Sequence, residues 1–211
     1  MRWRSSSLTI VAVIAVSAVS FAREIEKVRN DKIIVWEDIL APGEAVPTLS
    51  GKPALIVYLS SGRLDVTSQG AAPTKVDAKP GKLRFETTGF REIRNSDSSP
   101  LRLLRIEFPD RGSPERWGRS GLSSHYQVLF ENDLVRVYDI FIPAKSNEPQ
   151  HTHKDRVAAC LSGAELTHLF PDGRTEVSTL KTGEVVWRKG STHIGQNHSA
   201  NDFHAIAIEP K

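Results

Sequence analysis

A single gap-free offset of 102 residues brings the two halves of this 211-residue chain into register. Asn30-Asp31 falls on Asn132-Asp133, and Val35-Trp36-Glu37 on Val137-Tyr138-Asp139. Pro47 meets Pro149, Leu59-Ser60 meets Leu161-Ser162, Gly81 meets Gly183, Asn95 meets Asn197, and Ile106-Glu107 meets Ile208-Glu209. Whatever one half folds into, the other must fold into as well. The chain therefore reads as two similar units, residues 25–108 and 125–211. Residues 109–124, PDRGSPERWGRSGLSS, are rich in Gly, Pro, Ser and Arg and read as a linker. Trp117 within it is expected to dock on a domain surface rather than stand in water. The stretch from Ser61 to Lys79 aligns poorly, which points to compensating insertions and deletions there.

Each half reads as β structure. Lys32–Leu40, Ala54–Leu59, Leu83–Glu86 and Leu101–Phe108 are short strand-like runs. Leu134–Ile142, Val157–Leu161, Glu165–Phe170, Glu184–Trp187 and Phe203–Glu209 behave alike in the second half. Turn signals such as Lys79-Pro80-Gly81 and Pro171-Asp172-Gly173 separate them, and no capped amphipathic helix interrupts the pattern. Such spacing suits a sandwich or a barrel, and about 90 residues per half can bury one small core. A composition of 39% hydrophobic and 25% charged residues excludes a collagen-like or disordered chain.

The first residues read as an address. Arg2 and Arg4 precede the apolar run Leu8–Val19, and small residues follow at Ser20 and Ala22. This is the layout of a secretory signal peptide spanning residues 1–22, with cleavage expected after Ala22 and Ala18 as the second choice. An uncleaved anchor is the alternative, although the run is short for a bilayer. The expected location is periplasmic or extracellular, with no stable membrane insertion after cleavage. The whole chain has net charge +3. Without Arg2 and Arg4 its 28 basic side chains fall to 26 against 25 acidic ones, so the basicity belongs mostly to the export signal. No basic stripe of a nucleic-acid binder remains, and no nucleic-acid partner is expected. The lone Cys160, in the apolar VAACL, reads as a small buried hydrophobe.

All seven histidines, residues 125, 151, 153, 168, 193, 198 and 204, lie in the second half. In an extended strand residues i and i+2 share a face, so His151 and His153 can reach one metal ion. Gly163 follows after an apolar strand. A second segment opens at Gly183 and carries His193 and, four residues on, Asn197.

These two segments resemble the two sequence motifs of the cupin superfamily, and with the repeat the whole chain looks like a bicupin. The resemblance covers nearly all of residues 25–211 and is specific only in the second half. It implies an all-β fold of two tandem antiparallel β-barrels of jelly-roll type. It also implies a divalent transition metal, Fe, Mn, Zn, Ni or Cu, held by His151, His153 and His193. Gly163, Gly183 and Asn197 match the motif's structural positions. At the 102-residue offset the ligand positions become Leu49, Gly51 and Arg91, so the first barrel is expected to be metal-free.

The second half departs from the family's pattern at two places. The acidic ligand is missing, with Arg156 or Val157 standing there according to the direction of counting. Asp155 is the substitute candidate, and Gln196 and His198 are accessory candidates. Arg188-Lys189 takes the place of the usual Pro. Arg156 is a candidate for holding an anionic substrate, but alternation from His151 and His153 turns it outward; His168 is expected on the surface, and Trp187 in the core or pocket wall. His125 and His204 receive no role, and no catalytic residue is identifiable.

Three imidazoles without a carboxylate leave a bound metal more positive, which favours a small anionic or chelating molecule. Two classes of function follow. One is a metal-dependent enzyme of oxygenase, isomerase or hydrolase type. The other is a non-catalytic small-molecule-binding or structural module of the cell envelope. A homodimer is one expectation for the barrels; pairing of the two fused barrels within one chain is the other.

Overall fold

The central strands of each half are buried on both faces, which explains why runs such as Ala54–Tyr58 are apolar throughout. The computed structural model describes residues 21–46, 52–68, 70–88, 90–109 and 112–211. The signal-peptide reading, apart from Phe21 and Ala22, falls outside these residues, as do Leu49 and Gly51. The described residues form strands and no helix.

The first half comprises β1 (Arg23–Arg29), β2 (Ile34–Leu40), β3 (Ala45–Val46), β4 (Ala54–Tyr58), β5 (Gly62–Ser68), β6 (Thr74–Ala78), β7 (Leu83–Glu86), β8 (Phe90–Asn95) and β9 (Leu101–Glu107). They form a five-stranded sheet, β1-β2-β9-β4-β7, and a four-stranded sheet, β3-β8-β5-β6. The second half comprises β10 (Tyr126–Glu131), β11 (Val135–Ile142), β12 (Ser146–Asn147), β13 (His151–His153), β14 (Arg156–Ser162), β15 (Ala164–Leu169), β16 (Thr175–Leu180), β17 (Val185–Arg188), β18 (Ser191–Asn197) and β19 (Phe203–Pro210). Its sheets run β10-β11-β19-β14-β17 and β12-β18-β15-β16, with β13 paired to β18. The strand pairs are antiparallel, and each half has the two-sheet, crossed-over order of a jelly roll.

Alternation assigns the faces. In β4, Ala54, Ile56 and Tyr58 join the interior of the first half, where Leu64, Ile93 and Leu101 meet them. Leu55 and Val57 point the other way, into a cluster that also holds Val137, Val157, Ala159, Ile206 and Ile208 of the second half. The two five-stranded sheets thus share one buried apolar cluster, and Trp187 is packed against it. Cys160 is buried inside the second half among Tyr138, Ala205 and Leu166, and burial pushes its thiol up to about 11.

The 102-residue repeat holds at the level of hydrogen bonds. The bulge between Glu26 and Val28 recurs between Val128 and Phe130. Asn30 Oδ1 accepts from the amides of Lys32 and Ile33, and Asn132 Oδ1 from those of Leu134 and Val135. No insertion or deletion separates Ser61 from Lys79. The pairing from Gly62↔Ala78 to Val66↔Thr74 is matched by Ala164↔Leu180 to His168↔Glu176. This hairpin lies at a sheet edge, where few side chains pack and the backbone register constrains identity weakly.

Asn197 is fully buried, and its amide donates to the carbonyls of Ile142, Pro143 and Asn201 at 3.0, 3.2 and 2.9 Å. Asn95 does the same for Leu40 and Ser99. Replacing Asn197 with Ala leaves these buried carbonyls short of a donor, so Asn197→Ala should lose about 2–3 kcal/mol of stability, read from the urea midpoint.

Residues 112–124 are a docked strap, not a free spacer. Trp117 lies against the Lys154 ammonium at 4.5 Å from the ring centre, Lys211 at 5.1 Å and the Arg136 guanidinium at 5.3 Å. Glu131 fastens the strap, accepting from the amides of Trp117 and Gly118 at 2.6 and 2.9 Å and from Lys211 at 2.7 Å. Burial alone would raise the Glu131 carboxyl, but the three donors outweigh it and lower it from 4.5 to about 2. A carboxyl whose pKa is lower in the folded state stabilises above its unfolded value and loses that contribution as pH falls. The stability gap between wild type and Glu131→Gln should therefore be constant above about pH 5 and shrink steadily between pH 4.5 and 2. Urea unfolding at several pH values measures it, and a gap unchanged at pH 2 would contradict the assignment.

Candidate metal centre

Register builds the site. β13 and β18 are antiparallel neighbours with His151 directly opposite His193, and His153 lies two residues along the same face as His151. The three rings converge, with centroids 4.6 Å apart for His151–His193, 4.7 Å for His151–His153 and 5.3 Å for His153–His193. One ring nitrogen from each lies within 4.8 Å of the others, and all three residues are buried. A side chain at Gly163 would overlap the Leu180 carbonyl, and Gly183 turns at φ 81°.

Outer partners fix which nitrogen faces inward. His151 Nδ1 lies 2.8 Å from the Pro149 carbonyl, which only accepts, so Nδ1 carries the proton. His153 Nδ1 lies 3.0 Å from the Tyr138 hydroxyl. That hydroxyl donates to Glu209 Oε1 at 3.0 Å, so its oxygen accepts from His153 Nδ1–H. Ser191 Oγ lies 3.1 Å from His193 Nδ1. The Nε2 lone pairs of His151 and His153 then face each other at 3.0 Å. The Tyr126 hydroxyl, 3.1 and 3.3 Å from them, has one proton for the two. Two acceptors in contact are repulsive unless a cation lies between them, and a divalent metal fits this donor set. Burial holds all three imidazoles below their usual pKa, His193 at about 3, so they remain neutral and available as ligands.

A cavity of about 290 Å³ opens beside the cluster. His153 and His193 line it together with Tyr126, Glu148, Arg156 and His168, and Ile142, Leu166, Leu180 and Phe203 form an apolar wall. Glu148 is buried, with Oε2 3.4 Å from the Tyr126 hydroxyl and 4.0 Å from His151 Nε2. Its Oε1 has no hydrogen-bond partner, and burial pushes the carboxyl up to about 7. A side chain at Gly195 would overlap this carboxylate, so the glycine makes room for it.

The accessory candidates lie elsewhere. Asp155 is turned away from the imidazoles, with Oδ2 2.8 Å from Lys189 and Oδ1 2.7 Å from the Gly190 amide. Gln196 stands on the opposite face of β18 from His193 and accepts from the exposed His198 at 3.1 Å. His204 pairs with Asp139 at 2.6 Å, outside the cluster. At the offset position in the first half, Arg91 is exposed on β8.

Two expectations are corrected. Arg156 is buried and lines the cavity, because the break at Lys154-Asp155 between β13 and β14 resets the alternation. His168 is half-buried and faces the cluster rather than open solvent. Its ring lies 4.6 Å from that of His193 and its Nε2 3.0 Å from Ser178 Oγ, and burial lowers it to about 4. It belongs to β15, which pairs with β18 and places His168 opposite Gly195, where no side chain intervenes. Tyr126, Tyr138, Glu148 and Glu209 were not singled out by motif spacing. The signals for them are the acidic residue three positions before His151 and the Tyr138–Trp36 and Glu209–Glu107 matches in the repeat, and none of these marks a site.

No family model matches the chain, and no curated protein matches it. Solved structures do. AerE from Microcystis aeruginosa aligns with a TM-score of 0.61 at 13% identity over 91% of this chain and 98% of its own. A cupin 2 conserved barrel domain protein from Leptotrichia buccalis aligns at 0.60 and 13% identity, over 92% and 91%. Bacillus subtilis oxalate decarboxylase, in a structure concerned with its Mn(II) centres, aligns at 0.61 and 11% identity, over 91% and 74%. At such identities the likeness speaks for architecture, and it agrees with the sheet order described above: the chain has the cupin jelly-roll fold.

Proposed function

We propose that the chain is an exported metal-dependent enzyme acting on a small molecule, with His151, His153 and His193 holding a divalent transition metal. The observation that carries this reading is the pair of inward Nε2 lone pairs, 3.0 Å apart and short of protons. On this reading residues 125–211 form the metal barrel, residues 25–108 a metal-free barrel, and residues 109–124 the connection. Among Fe, Mn, Zn and Ni, manganese is the first to test, because a Mn(II) enzyme shares the fold. A bound metal supplies a Lewis acid that polarises a carbonyl or activates water. The chain's own groups do the rest. Tyr126 and Glu148 form a hydrogen-bonded pair at the cluster, with Glu148 Oε1 free to take or give a proton. The apolar wall excludes water from the substrate's carbon skeleton.

Export rests on the N-terminal segment. The Ala22 amide donates to the Ala45 carbonyl at 2.9 Å, and Ala22 packs into the first-half core. Cleavage after Ala18 keeps these contacts and is the better choice. The intact mass of the secreted protein reads the cleavage position. Elemental analysis of the mature protein, purified without a His-tag, tests the function: about one transition-metal ion per chain is expected. A folded protein that takes up none would be a non-catalytic module instead.

A further inference from the structure

We infer that the cavity beside the histidines binds a small organic carboxylate, gripped by Arg156 and Arg188; the placement of its far end at the imidazoles rests on the metal reading above. Arg156 on β14 and Arg188 on β17 are directly opposite each other in register, and both line the cavity. Like charges directly opposite on neighbouring strands are destabilising. The repeat supplies an internal control. The same register position in the first half holds Ala54 opposite Glu86, with no like-charge pair.

Among the described residues neither cation forms an ion pair. Glu148 on the cavity wall, its carboxyl raised by burial, is near enough for the Arg156 charge to lower it in part but makes no hydrogen bond to it, and Glu176 is held by Arg174. Arg156 is only 9% exposed, its Nε has no hydrogen-bond partner, and its Nη1 reaches just the Lys154 carbonyl at 3.5 Å. Arg188 makes no ion pair among the described residues. The neighbouring cations are occupied: Lys189 by Asp155 at 2.8 Å, and Arg174 by Glu176 at 3.4 Å. A buried guanidinium whose N–H groups lack partners is costly, and the fork of an arginine matches a carboxylate in two parallel hydrogen bonds. The wall of Ile142, Leu166, Leu180 and Phe203 requires an apolar body behind that charge, which inorganic phosphate lacks.

The test is calorimetric titration of the mature, untagged, metal-loaded protein with acetate, 3-methylbutanoate and succinate. The matching amides and inorganic phosphate serve as comparators, and metal content is measured on the same samples. At least one carboxylate should bind at least about 10-fold more tightly than its amide and than phosphate. Arg156→Gln and Arg188→Gln should each weaken it about 10–100-fold, with Arg156→Lys intermediate. Both Gln variants should melt at or above the wild-type temperature, because they relieve a like-charge pair; a clear fall would make the arginines structural and overturn the proposal. Amides binding as well as acids, phosphate binding more tightly, no carboxylate binding, or binding indifferent to both arginines would each overturn it too. Full metal content with no preference for carboxylates defeats the clamp alone. Arginine-dependent carboxylate binding in a chain that takes up no metal upholds the clamp and defeats the metal reading.

Discussion

His193→Ala should abolish stable metal loading, taking elemental content from about one ion per chain to near zero. The three imidazoles come from two short strands, and His193 is the only one contributed by β18. Without it, two nitrogens on a three-residue strand remain. Removing a partner that merely orients a metal-binding imidazole costs about 10–100-fold in metal affinity, and removing a ligand should cost more. Asp155→Asn, Gln196→Ala and His198→Ala should load metal as wild type does, because their side chains are engaged elsewhere. The four variants, dialysed against limiting metal and analysed together, give the comparison. Metal lost in Asp155→Asn but kept in His193→Ala would refute the assignment. Circular dichroism melts separate lost ligation from lost folding.

The residues that were legible in the sequence are those fixed by backbone geometry. Apolar alternation and the 102-residue offset place β2, β4, β9, β11, β14 and β19, because these central strands are buried on both faces and tolerate little else. The H-x-H pair was legible because a two-residue strand period aims both imidazoles to one face, whereas His193 was legible only through the resemblance of the segment from Gly183 to Asn197 to a cupin motif. What stayed hidden depends on cross-strand register between distant segments. His168 reads as a hairpin residue until β15 is paired with β18, which sets it beside His193. Arg156 reads as outward until the break at Lys154-Asp155 shifts the phase of β14. Glu148 has no periodic signal at all, since it lies in the turn between β12 and β13 and reaches the site through the gap left by Gly195.

Glu209→Gln should damage both the fold and the metal centre, and the two effects can be separated. Glu209 and Arg136 are almost wholly inaccessible, at 0% and 1%, with Arg136 Nε 2.8 Å from Glu209 Oε2 and Nη2 on the same oxygen. Removing one charge of a buried pair leaves the other uncompensated, at a cost of about 3–5 kcal/mol. The same guanidinium donates to the Gly118 and Ser120 carbonyls and lies against Trp117, so the strap should loosen with it. At the other oxygen, Glu209 accepts from Tyr138, which holds His153 Nδ1. A Gln at this position can present its NH₂ to Tyr138 and reverse that hydrogen bond, freeing the His153 ring to turn. Metal affinity should then fall about 10–100-fold in addition to the lost stability. Asp38→Asn is the counterpart in the first half. Asp38 pairs with the buried Arg105 at 2.9 Å, but Glu24 and Glu107 also hold that guanidinium, so the loss of stability should be smaller. Asp38 has no line of contact to an imidazole, so metal affinity should not change. Urea midpoints and metal titrations on both variants should therefore show a stability loss in each and an affinity loss only in Glu209→Gln. An equal loss of metal affinity in both would mean that stability alone governs the site and that the Glu209–Tyr138–His153 chain does not orient the ligand.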